Sequence, residues 1–534
     1  MDRLIQIEDR TWAPQVRFQN VPSDRSMTDI LWLDAACLTC RKKSRRCDRA
    51  RPKCKRCVSK GLQCEGYPDK FRFCGIASRG KWKNRDAPIP APNAPVESSS
   101  QSSPRANQND VRVDDDRPRH STTVSNAAGL ATPAQSLTPR DQHEIEKAFG
   151  AAEVKTLLAH YDQAICPHQI AEADGSHNPY RLYVLPLADE QIGLLYAVLG
   201  LSACHLGRLN NDAHLCESAA VDYRLKAISA LGQKINKVGS GSFDENERDG
   251  VFATIQILLL HDICESGISS HGAHISGAMS ICSQLKLDQT LTVEHKRTVF
   301  FLGNLVWLDI IRAFSTPERL CFTQDLRIKL LSLCDLRFES VNGCPRDLVL
   351  IIGEILEQAK AHSNGSLDAA EFKENVQNLA RNLYLWDSSR CFYPSNDSLW
   401  LSVAEAFRHT CILRTWRLLD ATESAAESRI QKSVTAILDS LANIPGSNQL
   451  IELLVMPLFM AGADCLSPHS RHYILLRLAE IKGRSEMGNA APQNLLEKVW
   501  NARAQQSEHD SGNVPWMLFT HNSESAHQDD YLII

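Results

Sequence analysis

Apolar side chains spaced as on a helix dominate the chain from about Asp141 onward. Phe252, Ile255, Leu259 and Ile263 recur three and four residues apart, which places them on one helical face. The same period runs through Ile145 to Ile165, Ile192 to Leu206, Ala213 to Ile235, Val299 to Ile311, Leu348 to Leu356, Val403 to Leu419, Ile451 to Met460 and Tyr473 to Ile481. Alternation of apolar and polar residues, the mark of a half-buried strand, is scarce. Residues 141–534 are therefore expected to form a large all-α domain of roughly fifteen helices.

Upstream the pattern changes in stages. Residues 1–36 carry Trp12, Phe18 and Trp32 without a sustained period and read as a disordered leader. Residues 37–64 have almost no apolar stock beyond Leu38, Val58 and Leu62, too little for a core of their own. Residues 65–85 form a basic extension with six basic and two acidic residues. From 86 to 140 the chain has eight prolines, eight serines and no aromatic residue, so it cannot bury enough surface to offset chain entropy. This stretch reads as a disordered linker in which Ser103-Pro104, Thr132-Pro133 and Thr138-Pro139 are candidate sites for proline-directed kinases. Residues 65–140 contain no run of apolar heptad positions, so a coiled coil is not expected there. The chain then acts as a monomer, or as a homodimer paired through its helical domain.

Composition refines this division. With 534 residues and 43% hydrophobic content the chain has room for several domains and a large core. Its net charge of −4 conceals a polarity: residues 37–64 hold eleven basic side chains against Asp48, or +10, which leaves −14 on everything else. A basic head on an acidic body points to nucleic acid as the partner of the head alone. No run of 18 apolar residues occurs, Leu194 to Leu206 and Val251 to Leu260 being too short and interrupted, so no membrane partner is expected.

The same basic segment holds six cysteines: Cys37, Cys40, Cys47, Cys54, Cys57 and Cys64 repeat Cys-x2-Cys-x6-Cys twice, displaced by 17 residues. A zinc ion takes four ligands, so two ions need eight and find six. If one cysteine of each half bridges both ions the count closes, and the spacing suggests Cys37 and Cys54 as the bridges. Metal must then supply the stability that the missing core does not. Six thiolates on two Zn2+ ions carry −2, which leaves the assembled module at about +8 with its side chains included. Between its second and third cysteines the first half reads Arg41-Lys42-Lys43-Ser44-Arg45-Arg46, and the second half Val58-Ser59-Lys60-Gly61-Leu62-Gln63. Arg41, Lys42, Lys43, Arg45 and Arg46 are accordingly the candidate DNA contacts, carried on a short helix after Cys40 that faces guanine edges and phosphates of double-stranded DNA. The second half reads as a brace.

The run ACLTCRKKSRRCDRARPKCKRCVSKGLQCEGY, residues 36–67, resembles the fungal binuclear zinc-cluster transcription factors, down to Asp48 and Pro52. The resemblance implies two Zn2+ ions, recognition of CGG-like triplets through a helix at Arg41 to Arg46, and regulation of RNA polymerase II transcription in the nucleus. Ser44 stands where that family usually has a basic or large polar residue. Four further segments resemble the fungal-specific transcription factor domain: LLAHYDQAICPHQ (157–169), NPYRLYVLPLA (178–188), LLYAVLGLSACHLGRL (194–209) and HGAHISGAM (271–279). The expected fold is thus a small Zn2Cys6 cluster domain and a large all-α regulatory domain, joined by a disordered linker. The resemblance also implies contacts with co-regulators or the transcription machinery, and control of a dedicated metabolic or secondary-metabolite gene set.

Other readings are narrower. Disulfide pairing would suit a secreted protein, yet residues 1–30 lack the apolar core of a signal peptide. The other twelve cysteines, from Cys74 to Cys465, sit singly among apolar residues and read as reduced core thiols. A zinc-binding protein-interaction module that never meets DNA is the alternative function. Import signals are expected at Arg41 to Arg46 and at Lys81-Trp82-Lys83-Asn84-Arg85, the second of which reads equally as a solvated turn. No His-Glu-x-x-His, Gly-x4-Gly-Lys-Ser/Thr or Gly-x-Ser-x-Gly signature occurs, so an enzyme is not expected. His261, Glu265, His271 and His274 are a weak metal candidate, better read as packing residues. Gly272, Ala273, Gly277 and Ala278 are expected to let two helices approach closely. The acidic and apolar segment Asp529 to Ile534 reads as an activation segment or, preferably, as a tail docked on the domain.

Overall fold

A computed structural model of the chain describes residues 38–43, 45, 47, 53–64, 72–76, 86–89, 151–171, 177–209, 213–236, 243–269, 272–487, 490–506, 512–520 and 530–533. Contacts divide the chain into two compact units, 1–126 and 127–534. The expected leader, most of the expected linker with its Ser-Pro and Thr-Pro pairs, and the Lys81 to Arg85 run lie outside the described residues.

In the first unit two five-residue helices, α1 (Leu38–Lys42) and α2 (Lys55–Ser59), precede two short strands, β1 (Arg72–Ile76) and β2 (Asp86–Ile89). The strands pair antiparallel, with Arg72 opposite Ile89 and Ile76 opposite Asp86, and a bulge between. This pairing joins the basic extension to the first residues of the expected linker.

The second unit is built almost wholly of helices. It begins with α3 (Ala151–His160), then a π-helical turn at Tyr161–Ile165 and a 3-10 turn at Cys166–His168. A second π turn, Tyr180–Val184, leads into α4 (Leu185–Glu190), α5 (Ile192–Leu209), α6 (Ala213–Ile235) and α7 (Glu245–Glu265). After β3 (Ile268–Ser269) come α8 (Gly272–Gln284), α9 (Leu287–Thr290), α10 (Lys296–Ser315), α11 (Gln324–Leu333), α12 (Arg337–Asn342), α13 (Arg346–Ser363) and α14 (Ala369–Leu385). The unit closes with α15 (Leu399–Leu419), α16 (Ser428–Ala442), a 3-10 turn at Gln449–Leu454, α17 (Val455–Asp464), α18 (Pro468–Ser485), α19 (Ala491–Ala504) and β4 (Asp530–Tyr531). The expected helix at Ile451 to Met460 is in fact a 3-10 turn running into α17; of that expected at Ile145 to Ile165, residues 145–150 lie outside the described residues and the remainder is α3 with a π turn.

The core is centred on α7 and α10, which are buried from Asp249 to Cys264 and from Thr298 to Phe314. A helix apolar on every side must be surrounded, and α10 together with α5 is long and apolar enough to match a membrane span, yet 94% of the α10 window is buried within the fold. Asp244 starts α7 by accepting a hydrogen bond from the Glu247 amide at 2.7 Å. Gly200 lets α5 and α6 approach closely, since a Cβ there would stand 3.3 Å from Tyr223 Cβ. Gly343 ends α12 at φ +75°, with Leu453 and Phe407 each 2.9 Å from where a Cβ would lie. At Gly277, by contrast, a Cβ would meet open space, so the expected close helix approach is not made there.

Some of the charges buried in this core are paired. Arg417 Nη2 on α15 donates to Asp464 Oδ1 at 2.5 Å, both side chains being nearly inaccessible. Asp309 accepts from Arg312 Nη2 at 2.8 Å and from the amides of Cys321 and Phe322 at 2.8 and 2.9 Å, and burial raises its pKa. The tail is docked as expected: Leu532 and Ile533 are each 1% exposed, and the Leu532 amide donates to Gly267 O.

Candidate metal centre and nucleic-acid interface

The first unit brings three of the six cysteines together. Cys40 Sγ lies 3.7 Å from Cys54 Sγ and 3.8 Å from Cys57 Sγ. All three sulfurs lie within 4.8 Å of one another and are fully buried. Four sulfurs at about 2.3 Å from a tetrahedral zinc are separated by about 3.8 Å, so this spacing fits thiolates on one ion. Cys47 and Cys64 pack against the trio, half-buried, with Leu62. Cys37 lies outside the described residues.

The surrounding backbone explains the convergence. Cys54 caps α2, its sulfur accepting from the Cys57 amide at 3.3 Å, so the Cys-x2-Cys spacing of the second half is held by one helical turn. Gly61 at φ +61° then returns the chain, and Leu62 N donates to Cys57 O at 2.9 Å. Thr39 Oγ1 donates to Gln63 O at 2.9 Å and ties the two halves together. Arg56 Nη1 lies 3.6 Å from Cys40 Sγ. Neither contact was legible in the sequence beyond the density of positive charge. Among the described residues no other cysteine, histidine or carboxylate group gathers as a metal site. Glu265, of the weak candidate at His261, Glu265, His271 and His274, pairs instead with Arg224 Nη1 at 2.6 Å.

The helix of the first half is placed differently from expectation. It runs from Leu38 to Lys42, through Cys40 rather than after it. Lys43 continues as a turn, its amide donating to Thr39 O, and Arg45 N donates to Cys40 O at 2.9 Å in a wider loop. Lys42, Lys43 and Arg45 are exposed; Arg41 lies on the helix backbone and Arg46 lies outside the described residues. In the second half Lys53, Lys55 and Lys60 are also exposed.

In the helical unit Cys166, Cys264, Cys282, Cys344, Cys411 and Cys465 are buried thiols, and no disulfide occurs among the described residues. Burial pushes the Cys166, Cys282 and Cys334 thiols up to about 12, so they stay protonated and inert.

Comparison with known proteins accords with this division. Residues 156–527 match the family described as the fungal specific transcription factor domain, and residues 35–73 match the fungal Zn(2)-Cys(6) binuclear cluster domain. The chain is also similar to the Pestheic acid cluster transcriptional regulator 3 of Pestalotiopsis fici (strain W106-1 / CGMCC3.15140), at 21% identity over 577 residues, covering 90% of this chain and 98% of that protein. No solved structure matches the chain.

Proposed function

We propose a specific mode of action from the premise that this chain belongs to the fungal specific transcription factor family and carries a zinc-binding Zn(2)-Cys(6) domain: it is a DNA-binding transcription factor of a nuclear family, not an enzyme. Two zinc ions are held by Cys37, Cys40, Cys47, Cys54, Cys57 and Cys64, with Cys37 and Cys54 shared. Arg41, Lys42, Lys43, Arg45 and Arg46 meet the duplex and read a CGG-like triplet in the major groove. The helical unit receives the regulatory signal, contacts co-regulators, and is where any dimer forms. The gene set is a dedicated metabolic one, and the name of the Pestalotiopsis relative, a cluster regulator, favours secondary metabolism.

The observation that carries this reading is the convergence of Cys40, Cys54 and Cys57 at the sulfur spacing of a zinc tetrahedron, beside the exposed cations Lys42, Lys43 and Arg45. The cluster fixes the backbone; the cations supply affinity for phosphate and base edges. Elemental analysis of the full chain together with binding to CGG-containing and scrambled duplexes tests it. The expected result is two zinc per chain and a Lys43→Ala loss of about 1–3 kcal/mol confined to the CGG duplex. About six neutralised phosphates should give a slope near −5 for log affinity against log salt. A zinc ratio of one would refute the shared ligands. A salt-insensitive chain that ignores DNA would point to the protein-interaction module instead.

A further inference from the structure

The helical unit contains a cavity of about 340 Å³, lined by the 3-10 turns at Cys166–His168 and Gln449–Leu454 and by α7, α10, α17 and α18 among other elements. That lies within the range of about 300–1,000 Å³ typical of sites for drug-sized ligands. Its wall is mostly apolar, with Leu260, Ile263, Trp307, Leu308, Phe407 and Met456 contributing.

Two amides in this wall are incompletely bonded. Gln256 is 2% exposed; its Nε2 donates to Tyr180 Oη at 2.8 Å, while its Oε1 has no hydrogen-bond partner among the described residues. Asn304 is 3% exposed; its Oδ1 accepts from Asn342 Nδ2 at 3.0 Å, while its Nδ2 has no partner among the described residues. Buried polar groups are almost always satisfied, because an unmet donor or acceptor retains its full desolvation cost. Here Gln256, with one unmet acceptor, and Asn304, with one unmet donor, line the same apolar chamber, with Tyr180 and Asn342 holding the two amides in orientation.

Charge narrows the ligand. Glu452, which also lines the cavity, already accepts from His168 Nδ1 and Arg484 Nε, both at 2.9 Å, so its carboxylate is paired with the Arg484 guanidinium and hydrogen-bonded by the His168 ring. Lys482 lines the cavity from a position exposed to solvent. The interior therefore offers an ionic ligand no unpaired buried counter-charge, whereas a hydroxyl, which can both donate and accept, matches the unmet acceptor of Gln256 and the unmet donor of Asn304.

We propose that this cavity is a binding site for an uncharged, largely apolar small molecule carrying a hydroxyl, recognised by Gln256 and Asn304. Binding would order the chamber where distant parts of the unit meet. Its consequence for transcription rests on the reading of the chain as a transcription factor; the binding itself does not.

The test uses the full zinc-loaded chain and two probes, 2-naphthol and 2-methylnaphthalene, which differ in the hydroxyl and are followed by naphthalene fluorescence. The expected result is saturable binding of one 2-naphthol per chain, at least about tenfold tighter than the methyl analogue, since a site built to bond a hydroxyl rejects its isostere. In Gln256→Met and Asn304→Leu the preference should collapse to within about twofold, each change removing one of the two unmet polar groups. Absent binding, equal affinity for the two probes on the unaltered chain, or a preference that survives both substitutions would overturn the proposal. The two-probe comparison decides even where a substituted chain fails to fold. Binding of the CGG duplex is measured in parallel: naphthol binding lost with DNA binding intact refutes the cavity alone, and the reverse refutes only the transcriptional reading.

Discussion

Replacing Arg414 with methionine should stabilise the helical unit. Arg414 lies on α15 at 2% exposure, and its Nε and Nη1 have no hydrogen-bond partner among the described residues. Burial drives its pKa down to about 9, with Glu318 opposing only weakly. Arginine is ordinarily protonated beyond pH 12, and each unit corresponds to about 1.36 kcal/mol, so the folded state bears a penalty of roughly 4–5 kcal/mol for keeping this charge. Relaxation and water penetration reduce it, and swaps of buried ions for apolar residues of similar volume return about 1–4 kcal/mol. For a domain of this length, at about 2.1 cal/mol/K per residue, a gain of 2–3 kcal/mol appears as a rise of roughly 3 °C. Circular dichroism melts and urea midpoints of the full chain at pH 7 measure it. The sign with pH is fixed: the unfolded chain keeps the arginine proton to higher pH than the folded one, so the native chain gains stability as pH rises through about 9. The advantage of Arg414→Met should therefore be complete below pH 9 and shrink above it. An Arg414→Met chain that melts below the native one at pH 7 would refute the reasoning and mean that the guanidinium is satisfied in solution.

The other predictions concern packing and pairing. Arg417→Met should cost about 3–5 kcal/mol in urea unfolding because Asp464 is left charged and buried, and adding Asp464→Leu should recover most of it. Gly343→Ala should lower stability by at least about 1–3 kcal/mol, since the position combines φ +75° with neighbours 2.9 Å from the new Cβ; an unchanged melt would show that Leu453 and Phe407 give way. Removing residues 530–534 uncovers the pocket filled by Leu532 and Ile533 and should cost about 3–6 kcal/mol at about 1.5–3 per buried side chain, read by calorimetry of the full chain against the shortened one.

The convergence of Cys40, Cys54 and Cys57 could be read from spacing because ligand geometry leaves few alternatives, and long helices such as α5, α6 and α15 could be read because their apolar period is sustained. The helix of the first half was misplaced for a physical reason: in five residues, propensity is weaker than the constraint of placing Cys40 against Cys54 and Cys57. The π turn after α3 and the 3-10 turn before α17 were read as continuous helix, since both keep apolar residues near helical spacing while their hydrogen bonds shift by one. The small-residue set at Gly272 to Ala278 suggested a close contact that Gly277 does not make; composition marks where backbones could meet, not whether they do. The cavity had no local signal at all. Gln256, Asn304 and Glu452 are each unremarkable in sequence, and their juxtaposition arises from elements nearly two hundred positions apart.

That separation has a consequence for anyone dissecting the protein. Gln449 Nε2 donates to Pro167 O and Ile170 O at 2.7 and 3.0 Å, and His168 meets Glu452, so the opening turns of the helical unit are clasped by a turn from its far side. Serial shortening from either direction, the usual way of mapping an activating or inhibitory region, would unlatch this clasp. Loss of reporter activity in fragments cut inside 166–452 would then record a collapsed scaffold rather than a missing regulatory segment, and point substitutions are the sounder instrument.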